Sequence, residues 1–142
     1  MDRFIVEKDD KYILPLEGKT VLRCCVDNRF SIIIPDKEDP EVGVQIAGMF
    51  LLIEKGREQK FSIEDYKGIG PAFQIFRKIV KTAYAYKNGG LEINFDDGLQ
   101  LRINPSPNYE SWEIYGTDGL HIISVPDGKL AVWGGKIYKI VK

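Results

Sequence analysis

Histidine and cysteine are nearly missing from this chain: His121 stands alone, and the two cysteines, Cys24 and Cys25, are adjacent. A tetrahedral zinc site needs four ligands at suitable spacings, which one imidazole and two vicinal thiols do not supply. Neighbouring side chains on a strand point to opposite faces, so the thiols neither share a metal easily nor close an unstrained disulfide. One buried thiol and one on the second face is the plain reading, with a vicinal redox switch as the alternative. Long apolar runs are missing too, since no window approaches the ~18 residues of a membrane span. The opening MDRFIVEKDDKY lacks the basic segment and apolar run that mark secretion, so the expected location is the cytoplasm, with no membrane partner. Charge of one sign is also lacking: 20 basic and 21 acidic residues cancel, and no long-range field would draw the molecule onto nucleic acid.

The same scarcity limits chemistry. With one histidine, a catalytic triad would need Asp118, His121 and a serine such as Ser106, Ser111 or Ser124, none of which has the G-x-S-x-G context of a nucleophile elbow. Asp96-Asp97-Gly98 lacks the further oxygen ligands and closing glutamate of a calcium loop and reads as a turn. Gly68-Ile69-Gly70 precedes a helical pattern, but no lysine and hydroxyl follow in the phosphate-loop arrangement. Phe76, Tyr84 and Tyr86 interleaved with Arg77, Lys78, Lys81 and Lys87 would suit a single-strand stacking groove; inward aromatics with solvated lysines are the simpler reading. The expectation is therefore no catalytic residue, no metal and no cofactor.

What is present is alternation. Leu22, Cys24 and Val26, then Phe30, Ile32 and Ile34, form one strand pair around a tight turn that ends at Pro35. Leu91, Ile93 and Phe95, then Leu99, Leu101 and Ile103, repeat it: Phe95 minus Val26 and Leu99 minus Phe30 both equal 69. Parity selects the second turn, because only a three-residue loop pairs Phe95 with Leu99 and keeps one face apolar. Gly98 then takes a left-handed bulge position, and Arg29 is expected at the matching place in the first copy. Val44, Gln45 and Ile46 match Trp112, Glu113 and Ile114 at a spacing of 68. We read an internal duplication, roughly residues 16–62 and 79–141, within a single domain spanning 1–142; chance likeness of amphipathic strands is the alternative. Phe73, Phe76 and Val80 with Ala72, Ile75 and Ile79 predict one short helix over about 71–78. Alternation through Leu120, Ile122, Ser124 and then Leu130, Val132, Trp133 completes the sheet, and Ile137–Val141 is a last strand that Lys136, Lys139 and Lys142 mark as an edge. The fold class is mainly β with a minor α contribution, an antiparallel meander duplicated into a sandwich or barrel-like core.

Acidic residues gather in connections. Asp36, Glu38, Asp39 and Glu41 follow the first hairpin, and Glu110 and Glu113 flank Trp112. Such groups either solvate a loop or capture a basic partner. Tyr109-Glu110-Ser111-Trp112-Glu113-Ile114-Tyr115-Gly116, then Asp118-Gly119 and Pro126-Asp127-Gly128-Lys129-Leu130-Ala131-Val132-Trp133, resembles a family of small bacterial proteins encoded beside polymorphic or contact-dependent toxins. Members show Tyr-Glu-x-Trp-Glu and a later Pro-Gly-Gly-x-Leu-x-Val-Trp; Asp127 replaces the first of those glycines. The match covers roughly Leu91 to Trp133 and thins before Thr20, and the overall size resembles immunity partners of cell-wall-associated tRNA nuclease toxins of Gram-positive bacteria. The resemblance implies a non-enzymatic immunity protein, monomeric or weakly dimeric, that binds a cognate toxin domain and blocks its active site. A tryptophan on a strand is more often core than contact, so we assign Trp112 and Trp133 to structure, and we take Asp36, Glu38, Asp39, Glu41, Tyr109, Glu110 and Glu113 as the toxin-facing surface. A β-barrel enclosing a small ligand, or a structural subunit of an assembly, are the competing readings.

Overall fold

Fourteen strands form among residues 3–38 and 41–142, which the computed structural model describes. They are β1 (Phe4–Lys8), β2 (Lys11–Ile13), β3 (Arg23–Val26), β4 (Phe30–Ile34), β5 (Val42–Ile46), β6 (Met49–Glu54), β7 (Arg57–Ser62), β8 (Val80–Tyr86), β9 (Leu91–Phe95), β10 (Gln100–Ile103), β11 (Trp112–Gly116), β12 (His121–Val125), β13 (Lys129–Trp133) and β14 (Lys139–Val141). An eight-stranded sheet runs β14-β1-β2-β8-β9-β10-β6-β7, and a six-stranded sheet runs β13-β12-β11-β5-β4-β3. The result is a mainly β sandwich. The sheets do not close into a barrel, so the barrel alternative is set aside: each sheet keeps two edge strands.

Alternation drives this packing. Phe30, Ile32, Ile34, Val44, Ile46, Trp112, Ile114 and Ile122 of the smaller sheet meet Phe50, Leu52, Leu91, Ile93, Phe95 and Leu101 of the larger in one buried cluster. Phe30 stacks on Phe50 at 5.0 Å and Phe50 on Phe61 at 5.5 Å between ring centroids. The chain crosses between sheets four times, from β2 to β3, β5 to β6, β10 to β11 and β13 to β14; β5 pairs with β11, and β6 with β10. Strands matched at the spacing of 68 thus lie side by side, with Gln45 opposite Glu113, Val44 opposite Ile114 and Ile46 opposite Trp112.

The hairpins follow their predicted parity. The Phe95 amide donates to the Leu99 carbonyl at 2.8 Å around a loop of Asp96, Asp97 and Gly98, and Gly98 takes φ +97°. The first copy differs from expectation. Arg29 is absent from the positive-φ residues; instead the Asp27 amide donates to the Arg29 carbonyl at 3.1 Å, and the Asp27 carboxylate accepts from the Arg29 amide at 3.0 Å. An aspartate side chain closing its own turn removes the need for a left-handed residue there.

Other expectations are corrected. The helix over 71–78 is a 3-10 helix of Gly70–Ile75, preceded by another at Ile63–Gly68. Its buried residues are Ala72 and Ile75, three apart, which suits three residues per turn. Phe76 is already extended at ψ 129° and Arg77 reverses the chain at φ +71°. The last strand begins at Lys139 rather than Ile137 and pairs in parallel with β1, the one departure from antiparallel pairing among the described strands. Leu22, expected on the inward face with Cys24, is instead 51% exposed while Val21 is buried, because the Val21 amide bonds the Lys78 carbonyl just before β8 and the next residue, Leu22, joins β4 through the Ile33 carbonyl.

Candidate functional site

The outer face of the six-stranded sheet brings exposed Trp133 together with half-buried Tyr115 and His121 and with paired charged side chains. With Trp112 and Ile114 turned inward, parity turns Glu113 and Tyr115 outward on β11. The same rule turns His121 outward on β12 and Trp133 outward on β13. Cross-strand register then lines up Gly43, Tyr115, His121 and Trp133 in one row and Gln45, Glu113 and Ile123 in the next.

Glu113 is the centre of this face. One carboxylate oxygen accepts from the Arg29 guanidinium at 2.9 Å, and the other lies 2.9 Å from Nε2 of His121. Arg29 also reaches Gln45 at 3.5 Å. The His121 ring stacks on Trp133 at 5.7 Å and 24°, while Trp133 itself is 54% exposed. Tyr115 lies across Gly43, and a Cβ there would sit 2.3 Å from the ring, so only glycine allows this ring position. Desolvation raises the Tyr115 hydroxyl above its ordinary pKa, and the neighbouring carboxylate of Glu41 adds to the effect. Glu41 in turn faces Arg23 at 3.9 Å.

The residues expected at a partner surface are divided among separate places. Glu113 and Glu41 belong to this face. Asp36 is buried in an ion pair with Lys19 at 2.9 Å, both side chains under a tenth exposed. Glu38 is exposed nearby, with its amide donating to the Asp36 carboxylate at 2.9 Å. Asp39 lies outside the described residues. Tyr109 and Glu110 are exposed at the opposite end of β5, where the Tyr109 ring crosses Gly48; at ~3.3 Å per residue, Gly48 is about 20 Å along the chain from Glu41. Trp112 is fully buried as expected, its indole N–H donating to the Gly89 carbonyl at 2.8 Å. Trp133 corrects the structural assignment: it shares a face with Ala131 and Lys129, opposite the inward Leu130 and Val132. The alternation Leu130, Val132 already carries that information. Arg29, Tyr115 and His121 share this face without being among the residues expected there, although the parity of Trp112, Ile114 and Ile122 points the latter two outward.

A concavity of about 850 Å³ lies beside β1, β2 and β8. Phe4, Val6, Ile13 and Tyr84 line one wall, and Glu17, Lys19, Asp36 and Glu38 belong to the loops opposite. It is a groove on the outside of the larger sheet, not an interior lumen.

The two thiols separate as strand geometry requires. Cys24 packs against the core, and burial, with Cys25 next to it, pushes its pKa up to about 11. Both cysteines are free. Among the described residues no cluster of His, Cys, Asp and Glu is placed to hold a metal ion, and no helix is long and apolar enough to cross a membrane.

No curated protein and no solved structure matches the chain. A family model does match, over residues 12–134, which includes every strand from β3 to β13. The chain belongs to that family, the family of unknown function DUF6188.

Proposed function

We propose that this protein is an immunity-type inhibitor that binds a cognate toxin domain, a nuclease, and occludes its active site or substrate surface. The observation that carries the reading is the outer face of the six-stranded sheet, with exposed Trp133 beside His121, Tyr115 and the Arg29–Glu113 pair. Tryptophan, tyrosine and arginine dominate binding energy at protein interfaces, and rigid aromatic side chains lose little entropy when they dock. Glu113 and Glu41 supply acceptors for a basic partner, with Tyr109 and Glu110 beyond the far end of β5. The likeness of residues 91–133 to immunity families supplies the partner class.

The test is inhibition of the partner's nuclease activity by the purified protein, titrated to stoichiometry. Trp133→Ala is expected to weaken the complex roughly 30-fold, a hot-spot loss of about 2 kcal/mol, without altering the fold. Unchanged inhibition by Trp133→Ala combined with Glu113→Ala rejects this face as the interface.

The groove of about 850 Å³ favours a second reading, since its volume falls among small-molecule sites. A ligand-binding protein would show ligand-dependent thermal stabilisation with no protein partner present.

A further inference from the structure

Four strands end the two sheets, and three of them carry features that discourage further pairing. β7 presents exposed Arg57, Glu58 and Lys60. β14 is three residues long, with exposed Lys139 and the neighbouring Lys142. β3 has four residues, opens with exposed Arg23 and begins where the chain turns from one sheet to the other. Charge, shortness and bending are the usual means of protecting a sheet edge.

β13 is the least protected of the four: it is five residues long and its one charge is exposed Lys129 at the first position. Its register with β12 runs unbroken over five residue pairs, and after Lys129 it reads Leu130-Ala131-Val132-Trp133, without proline, glycine or charge. The chain beyond it does not run back along the free edge. Gly135 packs on Gly119 and Leu120, the Lys136 amide donates to the Asp118 carbonyl at 3.4 Å, and the Ile137 amide donates to the Asp118 carboxylate at 3.2 Å. That path leaves across the β11–β12 turn.

The strand is also complementary to itself. About a two-fold axis at Ala131, antiparallel pairing sets Leu130 against Val132 of a second copy, both on the inner face. It sets Lys129 against Trp133 on the outer face. An ammonium over an indole is a favourable cation–π pair, and no like charges oppose. An odd shift in register would set outward residues against inward ones. Moving the axis by one residue would bring Gly128 or Gly134 into the ladder in place of a strand residue.

From these observations we propose that β13 pairs with β13 of a second copy, joining two six-stranded sheets into one twelve-stranded sheet in a two-fold dimer. The inference shares Trp133 with the proposed toxin-binding face but does not rest on that reading, and it is tested without a partner. A five-residue ladder buries little area, so association is weak and depends on concentration.

The measurement is sedimentation equilibrium of the purified full chain from about 5 to about 500 µM, the range expected for a small interface. The wild type is expected to rise from monomer mass toward twice that mass. Ala131→Lys and Ala131→Asp each place like charges across the axis and are expected to stay monomeric with unchanged circular dichroism. An equimolar mixture of the two is expected to associate again, because opposite charges then face each other. A wild type that stays monomeric throughout overturns the proposal. So does an Ala131→Lys variant that dimerises like the wild type, or a mixture that fails to associate.

Discussion

The carbonyl of Gly89, in the β8–β9 turn of the larger sheet, accepts two hydrogen bonds from the smaller one: from the Trp112 indole at 2.8 Å and from the Ser124 hydroxyl at 2.6 Å. Ser124 also accepts from Ser111 at 3.3 Å. Trp112 and Ser124 are fully buried, so no solvent replaces a lost donor. Trp112→Phe removes one hydrogen bond, about 1 kcal/mol, and leaves a partly filled space worth about 1–2 kcal/mol more. Ser124→Ala removes the other donor at about 1 kcal/mol. In either single variant the Gly89 carbonyl keeps one partner. In the double variant it has neither, and an unsatisfied buried carbonyl costs a further ~1–3 kcal/mol. The double-mutant cycle should therefore be over-additive by at least about 1 kcal/mol in urea unfolding free energy, with the extra loss lowering Tm by roughly 3–10 °C. Losses that add to within ~0.5 kcal/mol would refute the shared acceptor as the clamp between sheets.

Three further expectations follow from local geometry. Asp127 is held at φ +74°, a conformation costly for a residue with a Cβ; Asp127→Gly should therefore stabilise by roughly 0.5 kcal/mol after the added unfolded-state entropy of glycine, and an equal loss on thermal unfolding would contradict this. The Asp97 carboxyl is held below its ordinary value of 3.8 by the Lys78 ammonium, with help from the Leu99 amide. Because the folded pKa is the lower one, this stabilisation is present above about pH 4 and is lost as pH falls through the depressed value. Asp97→Asn should cost no more than about 1 kcal/mol at pH 7, since the pair is solvent-exposed, with the gap to wild type closing in acid; a gap constant down to pH ~2.5 would contradict the linkage. Finally, iodoacetamide at about pH 8 should modify Cys25 in the native protein and Cys24 only on unfolding, because the thiolate is the nucleophile; peptide mapping showing equal rates would contradict their separation.

Much of the local structure is legible in the residue pattern. The parity of Phe95 and Leu99 selects the three-residue turn, and Gly98 adopts the conformation that turn requires. Asp127 stands at positive φ, a conformation that favours glycine. The β6–β7 hairpin gave a weaker signal. Lys55 and Gly56, both at positive φ, form its two-residue turn between Glu54 and Arg57, but Lys-Gly lacks the side-chain chemistry of Asn-Gly. Sheet membership was not legible. Alternation marks an inward face, not which sheet a strand joins, so nothing local shows that the chain crosses after β5 and after β10.

The site was less legible than the fold for a related reason. Acidic clustering drew attention to Asp36, yet the fold places Lys19 against it and buries both, and a charge already paired in this way is not an exposed docking group. Glu113 stood out from its place beside Trp112, whereas Arg29 and His121, which organise it, are distant in sequence and meet it only through sheet register. Trp133 reads as structural because a strand tryptophan is more often core than contact, although its parity with Leu130 and Val132 points outward.

The most direct measurement of the central claim is affinity capture from a lysate of the native cells with the wild-type chain and with Trp133→Ala/Glu113→Ala in parallel. Retained proteins are quantified by mass spectrometry after a salt wash and assayed for nuclease activity. A single stoichiometric partner, retained by wild type, lost by the variant, and carrying a nuclease activity that added wild type suppresses, is the predicted result. A partner held equally by both forms, or one whose activity the protein leaves untouched, would contradict the account.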